Sequence, residues 1–170
     1  MNPIGEQTGP DKYDLRKVKY DMTSKNWIGP FIMAAINTKI VRRSNALSGY
    51  LYGKDFEYDE ATLGGKGFSG RLKSILMSIP IAIVMLAKPG SIIKKIVDKI
   101  LPSAGEGPSK KDRENGYFNL RFYVTYKDGS SSIAKVIGDM DPGYGSTSKM
   151  LSESAICLAI DKLDTLDGVI

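Results

Sequence analysis

Three glycines in the string LGGKGFSGRL (63–72) have the spacing of a dinucleotide-binding turn. Gly65, Gly67 and Gly70 spell G-x-G-x-x-G, a turn whose backbone approaches a pyrophosphate at a helix N-terminus. Such a turn also needs a buried strand before it and a second parallel strand that ends in an acidic residue about 20 residues on. Positions 85–90 read MLAKPG, and another helical pattern follows them. We therefore interpret the glycines as a strand-to-helix bend rather than a cofactor site, and no P-loop string occurs in the sequence.

The absence of histidine limits the chemistry that this chain can perform. Without histidine, the usual zinc ligand sets and the Ser-His and Cys-His nucleophile pairs cannot form, so we predict no metal site. Acid-base chemistry must then use Tyr, Lys, Asp or Glu. The single cysteine, Cys157, excludes an internal disulfide and favours a reduced, intracellular setting. It lies beside the apolar side of a predicted helix without a basic neighbour, which indicates packing rather than nucleophilic attack.

Composition predicts an ordinary globular protein. The chain has 170 residues, of which 42% are apolar and 25% charged, and this is enough for one core. The net charge of +5 comes from 24 basic against 19 acidic residues, and the basic residues are scattered along the sequence with no aromatic stacking pattern between them. We therefore expect a solvated surface and no nucleic-acid partner. The first thirty residues lack an apolar h-region, so no signal peptide is expected.

The first part of the chain is predicted to form an arm and a helix. Residues 1–25 are rich in charge and poor in core material, and we interpret them as a flexible N-terminal arm, followed by a single α+β domain over 26–170. Pro30 begins a predicted helix over 30–47 with apolar residues at Met33, Ile36, Ile40 and Leu47. Asn37 and Ser44 lie in the same stripe. They either hydrogen-bond to neighbouring backbone or line a cleft.

A long apolar segment occupies the middle of the sequence. Residues 55–63 predict a one-sided strand, and residues 68–87 predict a helix bent or broken near Pro80. The charge-free run from Ser74 to Ala87 has 14 residues, short of the about 20 that a membrane span needs. It is therefore a buried helix or an interfacial segment. Residues 91–101 predict an amphipathic helix that packs on a core or presents its lysines to anionic lipid head groups.

The last third predicts a hairpin and a helix. The alternation in YFNLRFYVTY and the Asp-Gly turn that follows it predict an antiparallel hairpin over 117–139. A helix over 146–163 is expected to be capped by Ser146 or Thr147. The fold class is therefore α+β: an antiparallel sheet with the hairpin and the 55–63 strand, helices packed on one face, and an apolar helical appendage from the two middle helices.

Three strings carry a family resemblance: GPFIMAAINTKIVRRSNAL (29–47), GEGPSKKDRENGYF (105–118) and GDMDPGYGSTSKMLSESAICLA (138–159). Together they resemble the C-terminal half of saccharopine dehydrogenase-like oxidoreductases, in particular the branch with the trans-acting enoyl reductases of lipid and polyketide synthesis. The resemblance implies a two-part protein in which an N-terminal Rossmann domain binds NAD(P) and the part seen here completes the substrate side of the cleft. Relative to this family, the sequence is expected to lack the first domain and to be truncated. The implied function is the substrate portion of an NAD(P)-dependent enzyme for a lipid-like or enoyl substrate, with no cofactor bound by this chain alone.

The resemblance also implies site residues. Substrate contacts are expected on the first helix and before the last one, at Asn37, Arg42, Arg43, Ser44, Asn45, Asp141 and Gly143. Tyr144 is the expected catalytic acid, because the helix dipole would stabilise its phenolate after it donates a proton to a reduced enoyl or imine substrate. The alternative is that the string DPGYG is only a turn made of turn-forming residues.

A second function of a different class is a non-catalytic module that docks on a membrane or lipid droplet through residues 72–101. The expected location is then cytoplasmic or peripheral to such a surface. A lipid-like small molecule is the expected ligand under the first hypothesis. Association into a homo-oligomer is left open by the sequence.

Overall fold

The computed structural model describes residues 13–101 and 105–162, which divide into two compact units. The described part of the first unit ends at Val97, and the second begins at Asp98. Residues 1–12 of the predicted arm, and the last residue of the helix predicted over 146–163, lie outside the described residues. Each unit is described by itself below.

The first unit contains a three-stranded antiparallel sheet with the order β1-β2-β3. Its strands are β1 (Lys19–Asp21), β2 (Asn26–Gly29) and β3 (Thr62–Gly65). Asp21 closes the turn between β1 and β2, because its Oδ2 accepts a hydrogen bond from the Ser24 amide at 2.7 Å. The sheet differs from the expectation in two ways: β1 lies inside the range predicted as an arm, and β3 pairs with β2 instead of joining the later hairpin.

Helix α1 (Ala34–Leu47) packs through its small and polar residues. Its buried residues are Ala34, Thr38 and Asn45. Thr38 is only 1% exposed, and its hydroxyl donates to the Ala34 carbonyl at 2.7 Å. The apolar stripe identified in the sequence faces solvent, with exposures from 41% to 55% at Met33, Ile36, Ile40 and Leu47.

Helix α2 (Gly67–Leu86) follows β3 after one residue and packs on β2 and β3. Glycines allow this close approach. A Cβ atom on Gly70 would collide with the backbone of Gly65, and one on Gly29 would lie 2.8 Å from Ser78 Oγ. The predicted strand-to-helix bend is therefore present at the glycines. The helix runs through Pro80 without a break, and α3 (Ile92–Ile100) begins after Ser91, whose Oγ accepts from the Lys94 amide at 3.1 Å.

The second unit contains α4 (Lys110–Asn115), the hairpin strands β4 (Phe118–Thr125) and β5 (Ser131–Gly138), and α5 (Gly145–Ile160). The hairpin confirms the predicted one. It pairs Phe118 with Gly138 at its open end and Thr125 with Ser131 beside the turn. Gly129 adopts a φ of 81° in that turn, a conformation that glycine tolerates without steric cost.

Few apolar side chains are buried within residues 13–101 and 105–162. They are Ile28, Ala34 and Val97, all before the boundary at Asp98. In the described part of the second unit, the buried residues are Gly145 and Ser146. The α+β class, with antiparallel sheets, helices and an apolar helix, is confirmed.

Candidate functional site

Asn45 holds the loop that follows α1. Its Nδ2 donates to the Gly53 carbonyl at 2.9 Å, and its Oδ1 accepts from the Tyr52 amide at 2.9 Å. The side chain is 5% exposed, so these partners replace water. Asn45 thus fixes the path of residues 50–53, where Tyr50 has a positive φ of 62°.

Asn37 and Arg42, which precede Asn45 on α1, contact the segment before β3. Asn37 Nδ2 donates to Glu60 Oε2 at 2.9 Å, and Arg42 Nη2 donates to the Tyr58 carbonyl at 3.1 Å. Tyr58 completes this cluster, because its hydroxyl donates to Glu60 Oε1 at 2.8 Å. Burial, and then the hydrogen bond to Glu60, raise the pKa of Tyr58 well above its usual range.

The structure thus brings two predicted site residues to one segment: Asn37 contacts the Glu60 carboxylate, which sequence reasoning missed, and Arg42 contacts the Tyr58 carbonyl. The signal for Glu60 was present in the string YDE (58–60), but the string was interpreted only as part of a strand. The other two predicted residues on this helix, Arg43 and Ser44, are exposed. The predicted substrate contacts on α1 remain predictions.

Asp141 forms the cap of α5. Its Oδ2 accepts from the amides of Tyr144 at 2.6 Å and Gly145 at 3.2 Å, and its carbonyl accepts from the Ser146 amide at 2.8 Å. The bond from the Tyr144 amide is the main reason that the pKa of Asp141 lies below its usual value. Ser146 and Thr147 were expected to cap this helix, and that prediction was wrong. Their hydroxyls instead donate back to the carbonyls of Met140 and Pro142.

Tyr144 lines a cavity of about 400 Å³ within the second unit. Its side chain is 54% exposed, and its ring lies against Gly107, where a Cβ atom would come within 3.3 Å of the ring. The lining residues are Lys110, Arg113, Glu114, Met140, Tyr144, Gly145 and Ser148. The arrangement offers a phenolic proton beside Lys110 and Arg113, and the Glu114 carboxylate pairs with Lys110 at 3.8 Å on the same lining. Arg113 adds positive charge that suits a substrate that gains negative charge.

Arg113 was missed by the sequence analysis. The backbone joins it to the predicted site, because the Asp141 amide donates to the Arg113 carbonyl at 2.9 Å. This contact brings α4 to the start of α5. Spacing along the sequence does not reveal it, because the hairpin lies between the two helices in sequence. Gly143, also predicted, lies within the turn that Asp141 closes.

The glycine turn does not fit a dinucleotide. Gly65 and Gly67 have φ values of 110° and 63°, which glycine alone adopts readily. However, β3 pairs antiparallel with β2, and the strands of residues 13–101 and 105–162 form no parallel pair. A dinucleotide fold needs two parallel strands with a helix between them. The described residues therefore do not form such a site.

Metal binding and nucleophilic attack by cysteine are the two other candidate chemistries. Within 13–101 and 105–162, no three acidic or thiol side chains converge where they could hold a metal ion. Cys157 has a raised thiol pKa, caused first by a hydrogen bond with Asp161, which disfavours the thiolate needed for nucleophilic attack.

Helix α2 is long and apolar enough to cross a membrane, by length and composition alone. Its buried residues are only Gly70 and Ser74. Side chains such as Leu76, Ile79 and Ile83 are 43–57% exposed. A soluble core helix of this composition is usually buried, whereas most of the apolar side chains of α2 are exposed.

Comparison with known proteins finds relatives that share one name. The chain is 36% identical over 149 residues to the trans-acting enoyl reductase of Mycobacterium ulcerans (strain Agy99). It is 34% identical to the protein of that name from Mycobacterium leprae (strain TN), and 33% identical to that from Mycobacterium bovis (strain BCG / Pasteur 1173P2). All three relatives are named trans-acting enoyl reductases.

The match covers 85% of this chain but 35% of each of these relatives. The chain thus spans about a third of the length of the curated relatives that it matches. No family model matches the chain. No solved structure matches it either.

Proposed function

We propose that this chain forms the substrate side of an enoyl reductase. The observation that supports the proposal is the similarity to trans-acting enoyl reductases, which extends over 85% of the chain. The three strings that resemble saccharopine dehydrogenase-like oxidoreductases extend the proposal to that family. We further propose a lipid-like or acyl substrate for this enzyme.

Reduction of an enoyl group needs a hydride at one carbon and a proton at the other. Tyr144 is the proposed proton donor, because this half-exposed residue lines the 400 Å³ cavity and carries a phenolic hydroxyl. Lys110 and Arg113, which line the same cavity, would stabilise the negative charge that develops on the acyl oxygen. A nicotinamide cofactor is the ordinary source of such a hydride. Because the described residues do not fit one, we assign its binding to other polypeptide of the working enzyme.

The proposal is tested by supplying the chain with the part of the Mycobacterium ulcerans relative that lies outside the matched 149 residues. Turnover of a medium-chain enoyl thioester with NADPH or NADH is followed by the loss of cofactor absorbance. Tyr144→Phe should lower kcat by about 10²- to 10⁴-fold, the usual contribution of a general acid. Tyr117→Phe is the matched control, because Tyr117 is 75% exposed in the same unit and does not line the cavity.

Two results would contradict this proposal. Full activity in Tyr144→Phe would remove the tyrosine from the chemistry. No turnover of any enoyl thioester by the assembled wild-type pair would remove the enoyl reductase assignment.

A second candidate function, docking on an anionic membrane surface, is favoured by helices α2 and α3. Ile92, Ile96 and Ile100 lie on one side of α3 and are 52–76% exposed. Lys95 and Lys99 lie at the edge of this stripe, and Lys94 lies on the opposite side of the helix. An exposed apolar stripe with adjacent lysines is the pattern of a helix that lies in a lipid interface. The exposed apolar residues of α2 would increase the apolar area that is buried in the lipid.

Co-sedimentation with vesicles tests this second function. Vesicles of phosphatidylcholine with phosphatidylserine should bind the chain, and Ile96→Glu should release it. Leu151→Glu is the control, since Leu151 is 70% exposed on α5 and carries no neighbouring lysine stripe. Equal sedimentation of both variants, or none of the wild type, would refute membrane docking.

A further inference from the structure

One face of the β4–β5 hairpin has the residue pattern of a protein core but is left largely exposed by residues 13–101 and 105–162. In the observed register, Phe118, Leu120, Phe122 and Val124 share this face with Ala134 and Val136. We call these six residues the hairpin face. Leu120 and Val136 are each 48% exposed, and Phe122 and Val124 are each 38% exposed. The opposite face carries the two charged side chains of the strands, Arg121 and Lys135, together with Tyr123, Ile133 and Ile137.

The alternation along β4 indicates that the hairpin face is suited to burial. An antiparallel sheet with one buried face alternates apolar and polar residues, as β4 does. A two-stranded hairpin is at best marginally stable in water unless another element covers its apolar face. No apolar side chain in the described part of the second unit is buried, so those residues form no hydrophobic core among themselves.

The size of the hairpin face argues against a second copy of the chain as its cover. Two strands of eight residues, at about 3.4 Å per residue and about 4.8 Å between strands, span roughly 260 Å². A stable interface between separate copies buries about 800 Å² on each partner. The hairpin face alone supplies about a third of that. It is of suitable size for a contact between parts of one folded enzyme, where other contacts contribute as well.

The relatives identify the polypeptide that could cover the face. About two thirds of each relative lies outside the matched region. We propose that the hairpin face docks onto an apolar surface of this remaining two thirds, supplied by the same polypeptide or by a separate one. The proposal rests on the proposed function, because it takes the occupant from trans-acting enoyl reductases. It also explains why a regular core-forming pattern is exposed here.

The test measures binding between the 170-residue chain and the part of the Mycobacterium ulcerans relative outside the match. The wild-type chain should bind this partner, and Phe122→Glu should weaken binding at least tenfold, as expected for an aromatic anchor at an interface. Thr125→Glu is the matched control. It adds the same charge to the same strand but on the opposite face, and it should bind as the wild type does.

Four outcomes would overturn the docking proposal. The wild-type chain fails to bind the partner, or both variants bind equally well. Alternatively, light scattering shows a wild-type dimer that Phe122→Glu dissociates, which assigns the face to a second copy. Finally, Phe122→Glu lowers the unfolding midpoint of the isolated chain while Thr125→Glu does not, which means that the chain covers the face itself.

Binding and turnover separate this proposal from the proposed function. If the pair forms through the hairpin face but reduces no enoyl substrate, docking stands and the enzymatic assignment fails. If the pair reduces the substrate at the wild-type rate with Phe122→Glu, the enzymatic assignment stands and docking through this face fails.

Discussion

Substitution of Asn45 separates a structural role from the substrate contact that the family resemblance implies. Asn45→Ala removes the two 2.9 Å hydrogen bonds to Tyr52 and Gly53. At about 1 kcal/mol each, their loss costs about 2 kcal/mol, and the better helix propensity of alanine restores roughly 0.5 kcal/mol. The net loss of about 1.5 kcal/mol corresponds to a fall of about 3–6 °C in Tm for a protein of this size. A residue that only contacts substrate would leave stability unchanged.

Tryptophan fluorescence is a suitable assay for this loss. Trp27 is the only tryptophan in the sequence, and it lies in β2. Asn45, on α1, belongs to the same unit. Urea unfolding followed at Trp27 therefore reports on the unit that contains the substitution. Ser44→Ala is the matched control on the exposed side of the same helix, and it should change the free energy of unfolding by less than about 0.5 kcal/mol. If Asn45→Ala unfolds at the same urea concentration as the wild type, the structural role is refuted.

Three further predictions concern packing and titration. Gly70→Ala places a Cβ atom against the backbone of Gly65 and should lower the free energy of unfolding in urea by about 1–3 kcal/mol. Ser69→Ala, at the neighbouring exposed position of the same helix, should be nearly neutral. Equal midpoints for the two variants would refute the close helix-to-strand contact. The lowered pKa of Asp141 means that its capping contribution is present above about pH 3.9 and is lost as the pH falls through the folded-state pKa. The difference in urea midpoint between the wild type and Asp141→Asn should thus be full at neutral pH and vanish in acid; a difference that is independent of pH would contradict the cap. The raised pKa of Tyr58 acts in the opposite direction, because its contribution is full below about pH 10 and is lost at higher pH. Tyr58→Phe should therefore lose stability less steeply than the wild type above that pH, and identical slopes would argue against the buried hydrogen bond to Glu60.

Local chemistry explains which elements the sequence could predict. The hairpin was predicted within one residue at each end, because alternation and an Asp-Gly turn act over short distances. The strand-to-helix bend at Gly65 to Gly70 was predicted for the same reason. In contrast, β1 has only three residues, two of them charged, so it shows no apolar alternation that would predict a strand. The pairing of β3 with β2 joins residues more than thirty positions apart, and periodicity carries no information about such partners.

The same distinction applies to the candidate site. Tyr144 was predicted at the start of the last helix, and it does line a cavity there. Arg113, which lines the same cavity, could not be found from spacing, because the hairpin separates it from the helix in sequence. The cap was predicted at Ser146 or Thr147 because serine and threonine commonly cap helices, but the Asp141 carboxylate accepts from the amides of Tyr144 and Gly145 across a Pro-Gly turn.

Burial is where the sequence patterns and the structure disagree most, and the disagreement has one physical explanation. The patterns on α1 and on the hairpin predicted faces that lie against a core, yet Ile40 is 55% exposed and Leu120 is 48% exposed. Periodicity identifies a face that is suited to burial, but it does not identify the surface that covers it. Under the docking proposal, part of that covering surface is supplied by sequence that corresponds to the portion of the relatives outside the match. The hairpin face is the exposed face whose register and composition define such a contact most closely.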